Sequence, residues 1–122
     1  MDASAYYFRG VTYRDKQELD MSIADLTKAI EFEPQPSPQI YAGRGASYLQ
    51  KKNYKLAVAD LTKAIELQPN FSWALARAAS VYFYQERHDL AIADYTKAIE
   101  LDPKFVGAYS NRGNSYRARQ PR

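Results

Sequence analysis

The sequence predicts an all-α fold in which seven helices form a solenoid of antiparallel helix pairs within a single domain, residues 1–122. Three observations predict this fold. An octapeptide occurs three times, as ADLTKAIE at 24–31 and 59–66 and as ADYTKAIE at 93–100, and a proline follows each copy. Those prolines, Pro34, Pro69 and Pro103, are 35 and 34 residues apart. The third observation is a second signature upstream of each octapeptide. A period of this length is typical of helix pairs that stack and share one core.

The upstream signature, Tyr-x-x-Arg-Gly-x-x-Tyr, predicts the first helix of each unit. It begins at Tyr6, Tyr41 and Tyr109, and Leu75 begins a looser copy. The octapeptides lie in the predicted second helices, because the apolar residue just before each copy and two within it recur at the i, i+3 and i+7 positions of one helix face, as Ile23, Leu26 and Ile30 do in the first copy. Each closing proline ends its helix, since it has no amide donor. In order, the predicted helices cover 3–16, 20–33, 38–51, 55–67, 72–85, 89–101 and 106–119.

These helices group into repeats at about 3–36, 38–71 and 72–105, followed by a half repeat or capping helix at 106–119. Pro121 is expected to prevent extension of that last helix. Within each pair we expect small residues at the crossing, because they let two helices approach closely. Those on the first helices are Gly10, Gly45, Ala79 and Gly113, and those expected to face them on the second helices are Ser22, Ala57 and Ala91.

Taken together, these positions resemble the tetratricopeptide repeat (TPR), a helix–turn–helix unit of 34 residues with an aromatic, Leu-Gly, Tyr, Ala, aromatic, Ala, Pro pattern. The resemblance covers residues 3–119. It departs from the pattern at Arg9, Arg44 and Arg112, which stand where leucine is usual. It implies a right-handed α-solenoid, the TPR superhelix, that serves as a protein–protein interaction scaffold.

No residue pattern indicates catalysis, so we expect no enzyme, no cofactor and no metal site. There is no cysteine, and the only histidine, His88, is expected to pack near a turn. Asp25, Asp60 and Asp94 each precede a lysine by three residues, which predicts an exposed ladder of ion pairs along the second helices. Each glycine of the Arg-Gly signature stands alone within a helix, unlike a phosphate-binding loop.

The first helices of a solenoid line its concave side, and the helical period then gives their inward positions. On this basis we predict a groove with aromatic side chains at both ends and small residues between them. Aromatic anchors are a common source of affinity for a peptide. The predicted peptide-binding residues are Tyr7, Phe8, Val11, Arg14, Leu49, Trp73, Arg77, Phe83, Tyr84 and Asn111. Alternatively, some of these rings pack between units as ordinary core.

One subclass of the TPR family binds a C-terminal carboxylate through a clamp of Lys, Asn and Arg side chains. Here only Arg77 matches that clamp. The other four positions hold Tyr7, Val11, Gly43 and Trp73, where Lys, Asn, Asn and Lys would be needed. One match of five cannot grip a carboxylate from two sides. We therefore expect aromatic and apolar contacts to a partner peptide or helix, and no carboxylate clamp.

Two other kinds of partner remain open. A half unit leaves an open stacking edge, so the chain could be a self-assembling, homo-oligomeric structural module. Nucleic acid is a minor alternative, through Arg112, Arg117, Arg119 and Arg122. Residues 1–103 carry 12 basic and 14 acidic residues, which argues against it. No apolar run has the length of a signal or a membrane span, so we expect no membrane partner and a soluble, cytoplasmic protein.

Overall fold

The computed structural model describes residues 1–120, and seven α-helices account for most of them. Within these residues there is no strand, so the all-α prediction is confirmed. Each helix begins and ends within one residue of its predicted bounds. The helices are α1 (Ala3–Asp15), α2 (Leu19–Phe32), α3 (Pro38–Gln50), α4 (Tyr54–Leu67), α5 (Ser72–Tyr84), α6 (His88–Leu101) and α7 (Val106–Arg119). Pro121 and Arg122, named in two of the predictions, lie outside the described residues.

The turn inside each repeat has one residue in the left-handed region: Gln17 (φ 64°), Lys52 (φ 66°) and Glu86 (φ 62°). The amide one residue further on donates to a carbonyl in the last turn of the first helix, as from Glu18 to Tyr13 at 2.9 Å. This is the hydrogen bond of a Schellman cap, which satisfies carbonyls left free at a helix end. The cap reverses the chain sharply, so the second helix packs antiparallel on the first.

Small residues let the helices approach closely, as the sequence predicts. Ala57, Ala79 and Ala91, three of the small residues predicted at the crossings, are fully buried. One expected partner is different: Gly10 faces Leu26 of α2 and not Ser22, because a Cβ placed on Gly10 would lie 2.8 Å from Leu26 Cγ. Ser22 lies nearer the next unit, where its buried hydroxyl is hydrogen-bonded to Ser47 of α3 at 2.7 Å.

The first helices form the inner layer of the array. Helix α3 lies close to both α1 and α5, and α5 lies close to α7. Within the described part of the chain, no two of α2, α4 and α6 approach each other in this way. Because the first helices are crowded together and the second helices are spread apart, the array curves with α1, α3, α5 and α7 on its concave side.

The predicted exposed ladder of aspartate–lysine pairs is wrong for the first two repeats. Asp25 and Asp60 are buried, each 6% exposed, and each pairs with an arginine of the first helix. Asp60 accepts two hydrogen bonds from Arg44, at 2.7 and 2.8 Å, and Asp25 accepts the same two from Arg9. A buried carboxylate needs such a partner, and a bidentate guanidinium satisfies both of its oxygens. The arginines that replace the usual leucine therefore join the two helices of a repeat.

The third repeat breaks this rule. Ala78 of α5 stands where the other first helices have arginine, and the equivalent carboxylate, Asp94 of α6, is half-buried without an ion pair in the described residues. Burial raises the pKa of Asp94, and the charge of Lys97 partly opposes that rise.

Candidate functional site

Three hollows lie in a row on the concave side of residues 1–120, and we call them the N-terminal, central and C-terminal hollows. The N-terminal hollow lies between α1 and the start of α3 and is lined by Ser4, Tyr7, Phe8, Gln39 and Ile40, among others. The rings of Tyr7 and Phe8 meet edge to face, with centroids 5.3 Å apart. Phe8 is 66% exposed, so this end of the groove presents a large apolar surface to water.

The central hollow is built around Trp73, which lies between two guanidinium groups. The Cζ atoms of Arg14 and Arg77 lie 5.7 and 4.9 Å from the centre of the Trp73 ring. Arg14 also donates to the carbonyl of Gly43 at 2.9 Å. Its burial lowers its pKa, while the nearby Asp15 has the opposite effect. These contacts hold Arg14 and Trp73, which are far apart in sequence, next to Gly43 in the lining of the central hollow.

The C-terminal hollow lies between α3, α5 and α7 and has a volume of about 500 Å³. Leu49, Arg77, Tyr84 and Asn111 line it, and Phe83 lines the small cavity next to it, which shares Tyr84 and Asn111. Tyr84 is 58% exposed and stacks on Tyr54 with ring centroids 5.6 Å apart. An exposed ring held in one orientation loses little conformational entropy when a ligand covers it.

The structure brings eight of the ten predicted site residues to the three hollows and a ninth, Phe83, to the adjacent small cavity, with Val11 as the exception. Val11 is half-buried on α1 and lies outside them. Tyr7 belongs to both the N-terminal and the central hollow, and Arg77 links the central to the C-terminal one. The hollows therefore form one continuous groove. That these residues bind a peptide stays a prediction.

Two of the predicted groove rings, and Leu49 with them, also pack against the core, as the alternative prediction allowed. Trp73 and Leu49 pack against the buried cluster of α3, α4 and α5, and Phe83 packs against the cluster of α5, α6 and α7. Phe83 also contacts His88, edge to face at 5.3 Å, which agrees with the predicted packing role of this histidine. Phe8 and Tyr84 are the most exposed rings of the predicted set, so they offer more free surface to a ligand.

Sequence reasoning missed three aromatic residues at or next to the groove. Tyr54 supports Tyr84 from a second helix, and Phe71, in the loop before α5, lines the central hollow and stacks on Trp73 at 6.2 Å. Tyr95 of α6 lines the small cavity beside the C-terminal hollow, where its hydroxyl is hydrogen-bonded to Ser80 at 2.7 Å. The prediction counted only first helices. The aromatic residue in place of leucine in the third octapeptide was the available signal for Tyr95.

The arginines of the C-terminal end are engaged with neighbouring side chains. Arg119 pairs with Asp89 at 3.0 Å, Arg117 donates to Asn114, and Arg112 donates to Thr96 at 3.3 Å. Over residues 1–120, no group of three or more His, Asp or Glu residues could hold a metal ion. No helix in the same part of the chain has the length and apolar character needed to cross a membrane.

Comparison with known families and structures identifies the repeat. Models described as tetratricopeptide repeat match residues 3–36 and 38–71, and a model described as TPR repeat matches residues 79–118. The last match runs from the middle of α5 to the end of α7. No curated protein sequence matches the chain.

Solved structures share the fold along nearly the whole chain. The first TPR of Spaghetti (RPAP3), bound to the HSP90 peptide SRMEEVD, is 23% identical with a TM-score of 0.91, covering 96% of this chain and 92% of that one. The second TPR domain of human RPAP3, in complex with the HSP70 peptide SGPTIEEVD, is 23% identical with a TM-score of 0.86, covering 93% and 94%. MamA is 27% identical with a TM-score of 0.87, and the match covers 94% of this chain and 67% of MamA.

Proposed function

The chain belongs to the tetratricopeptide repeat family, and on that premise we propose that it is a protein-interaction module whose concave groove binds a segment of a partner polypeptide. The observation that carries this proposal is the continuity of the three hollows, with aromatic rings from Tyr7 to Tyr84 along one face. Two structurally similar domains are described as bound to peptides of HSP90 and HSP70. Those ligands belong to those domains; the fold is what this chain shares with them.

The contacts that we propose are mainly apolar. Phe8, Trp73 and Tyr84 would cover the apolar side chains of a partner, since buried aromatic surface is the usual anchor of an interface. Burial contributes about 25 cal/mol per Å² of apolar surface removed from water. Asn111 would fix the orientation of the segment by hydrogen bonding to its backbone.

Arg14 and Arg77 add a positive character to the middle of the groove, and neither forms an ion pair in the described residues. Both lie against Trp73, so an acidic or polar side chain of the partner could contact them beside the indole. Because the other clamp positions hold Tyr7, Val11, Gly43 and Trp73, we still propose no carboxylate clamp. The binding of an extended segment or of a short helix is compatible with a groove of this shape.

The proposal can be tested by panning a random dodecapeptide display library on the immobilised chain. Enriched peptides would be synthesised and their affinities measured by calorimetry for the chain and for Trp73→Ala and Tyr84→Ala. We expect a loss of about 10-fold or more for each variant, as for hot-spot aromatics elsewhere. Tyr84 is preferred to Phe83 because it is far more exposed, so its removal should leave the core intact.

Met21→Ala is the matched control, because Met21 is also exposed, at 49%, but lies on α2 outside the groove. It should leave the affinity unchanged, and circular dichroism should show the same helicity in all the variants. If no peptide is enriched, or if Trp73→Ala and Tyr84→Ala bind as tightly as the Met21→Ala control, the groove is not the binding site.

A further inference from the structure

Helix α7 carries the residues with which α1 and α3 bind their second helices. The signature that begins at Tyr109 repeats the one at Tyr6 and Tyr41, with Arg112 and Gly113 in its centre. In α1 and α3 these signatures lie against α2 and α4. The packing of those two pairs therefore shows what this set of residues is complementary to.

The contacts are the same in both pairs. A Cβ added to Gly45 would lie 2.8 Å from Leu61 Cγ, the same distance as between Gly10 and Leu26. The arginine before each glycine donates two hydrogen bonds to the aspartate before that leucine, at 2.7 and 2.8 Å. The face of each first helix thus has two components. Its guanidinium binds a carboxylate of the second helix, and its glycine leaves space for the leucine next to that carboxylate.

On α7 the same face is open. A Cβ added to Gly113 would meet, among the described residues, only the tip of Arg117 at 3.8 Å. Arg112 keeps the bond to the preceding unit, to Thr96 at 3.3 Å, just as Arg44 bonds to Thr27 at 3.2 Å. Within residues 1–120, however, Arg112 has no carboxylate partner.

The tyrosines of this face are exposed as well. Tyr109 and Tyr116 are 42% and 41% exposed, while their equivalents in α1 and α3 are half-buried. We define the docking face of α7 as Tyr109, Arg112, Gly113 and Tyr116. With about 100° between successive residues, this face lies on the opposite side of α7 from the groove residue Asn111. It is therefore separate from the groove and does not depend on the proposed function.

We propose that the docking face of α7 binds an amphipathic helix with the chemistry of α2 and α4. That helix carries an aspartate directly before a leucine, with a small residue three positions before the aspartate and an alanine four positions after it. Ser22 and Ala29 are those small residues in α2, and Ala57 and Ala64 are those in α4. The charge of Arg112 selects the carboxylate, and Gly113 sets the close approach that the leucine needs.

A folded second copy of the chain is a poor occupant of this face. Its α2 and α4 have the required aspartate and leucine, but these residues are already buried against its own α1 and α3. A second copy would have to open a helix pair before it could bind. The occupant is therefore a helix of a partner protein whose Asp-Leu face is free.

The test uses a synthetic peptide with the sequence of residues 53–69, which contains α4, and the chain as it is. We expect saturable 1:1 binding, with amide chemical-shift changes at Tyr109, Arg112, Gly113 and Tyr116. A peptide with asparagine in place of its Asp60 should bind about 10-fold more weakly or worse, because Arg112 then loses its charged acceptor.

The decisive variant is Gly113→Val, which should abolish binding while the chain stays folded, because the space around Gly113 is open until the peptide arrives. Gly107→Val is the matched control. Gly107 is on the same helix, a Cβ there would have only Phe105 near it at 3.9 Å, and it lies on the other side of α7. Gly107→Val should bind the peptide as the parent chain does.

Three results would overturn the proposal: no saturable binding, equal binding by Gly113→Val and Gly107→Val, or shifts confined to the groove around Trp73. A fourth contrary result would come from light scattering. If the chain forms a dimer and Gly113→Val prevents it, the occupant of the docking face is a second copy of the chain. Trp73→Ala should leave this binding unchanged, so failure of the groove proposal and failure of this one can be told apart.

Discussion

The α3 and α7 helices carry the same signature, but only α3 has a second helix packed over it. Arg44 of α3 holds Asp60 with two hydrogen bonds, whereas Arg112 of α7 has no carboxylate partner within residues 1–120. A Cβ on Gly45 would collide with α4, while Gly113 has open space beside it. The comparison teaches that the Arg-Gly signature makes its bidentate ion pair and its close helix contact only as half of a pair, when the opposite helix supplies the aspartate and the leucine.

The largest expected effect is the loss of the paired arginine. Arg44→Ala should lower the free energy of unfolding by about 2–3 kcal/mol, somewhat less than the 3–5 kcal/mol typical of a fully buried pair, because the Arg44 side chain is 20% exposed. Arg112→Ala removes only a bond to Thr96 and should cost about 1 kcal/mol or less. Urea denaturation of both variants measures the difference. Equal losses of stability in the two variants would show that the ion pair with Asp60 does not distinguish α3 from α7.

Replacing each of the two glycines by alanine should change the stability of the chain in opposite directions. Gly45→Ala should destabilise the chain by about 1–3 kcal/mol, the usual cost of overpacking, because Leu61 Cγ and the carbonyl oxygen of Ala57 lie 2.8 and 3.2 Å from the new Cβ. Gly113→Ala should instead stabilise it by about 0.5–1 kcal/mol, since alanine is the better helix former and nothing obstructs it. The two melting temperatures should move in opposite directions; a drop for Gly113→Ala would mean that the face is covered.

The smallest effect concerns the carboxylate left without an arginine. Because burial raises the pKa of Asp94, the folded chain binds that proton more tightly than the unfolded chain. The stability that Asp94 contributes is therefore highest below its unfolded pKa and falls as the pH rises through its folded pKa. As the pH rises through that interval, Asp94→Asn should become more stable than the parent chain. At neutral pH the variant should remain more stable, by about 1 kcal/mol or less.

Asp60→Asn is the matched control for this pH prediction, because it removes a carboxylate that does have its arginine. It should lower stability at neutral pH, while Asp94→Asn raises it. Thermal melts of both variants and the parent chain from pH 3 to neutral pH would show the two trends. If Asp94→Asn follows the parent chain at every pH, Asp94 is fully solvated and the contrast between the repeats disappears.

Much of the groove followed from the sequence, because a helical period places side chains on a face without any knowledge of their neighbours. That reasoning found Tyr7, Trp73 and Tyr84 on the concave side. It missed Tyr54 and Phe71 because they lie on a second helix and in a loop. It included Val11 because the period alone does not say where a hollow ends.

The aspartates show where such reasoning was wrong. Spacing along one helix gave Asp25 and Asp60 a lysine neighbour three residues away, which is a real neighbour on an isolated helix. In the folded chain the first helix brings an arginine to the same carboxylates, and a bidentate bond in a buried place is stronger than an exposed pair. The departure from leucine at Arg9 and Arg44 was the available signal for this pairing.

By itself the sequence determined the number of helices, their bounds to within one residue and the small residues at their crossings. These depend on local periodicity, on proline and on side-chain volume, all of which the chain carries within a single repeat. Only the tertiary structure decided which aspartate meets which arginine, that Arg14 and Arg77 flank Trp73, and that the α7 face is open among the described residues. The reason is physical: these contacts join residues that come together only after the pairs have stacked, so their geometry depends on crossing angle and distance between helices.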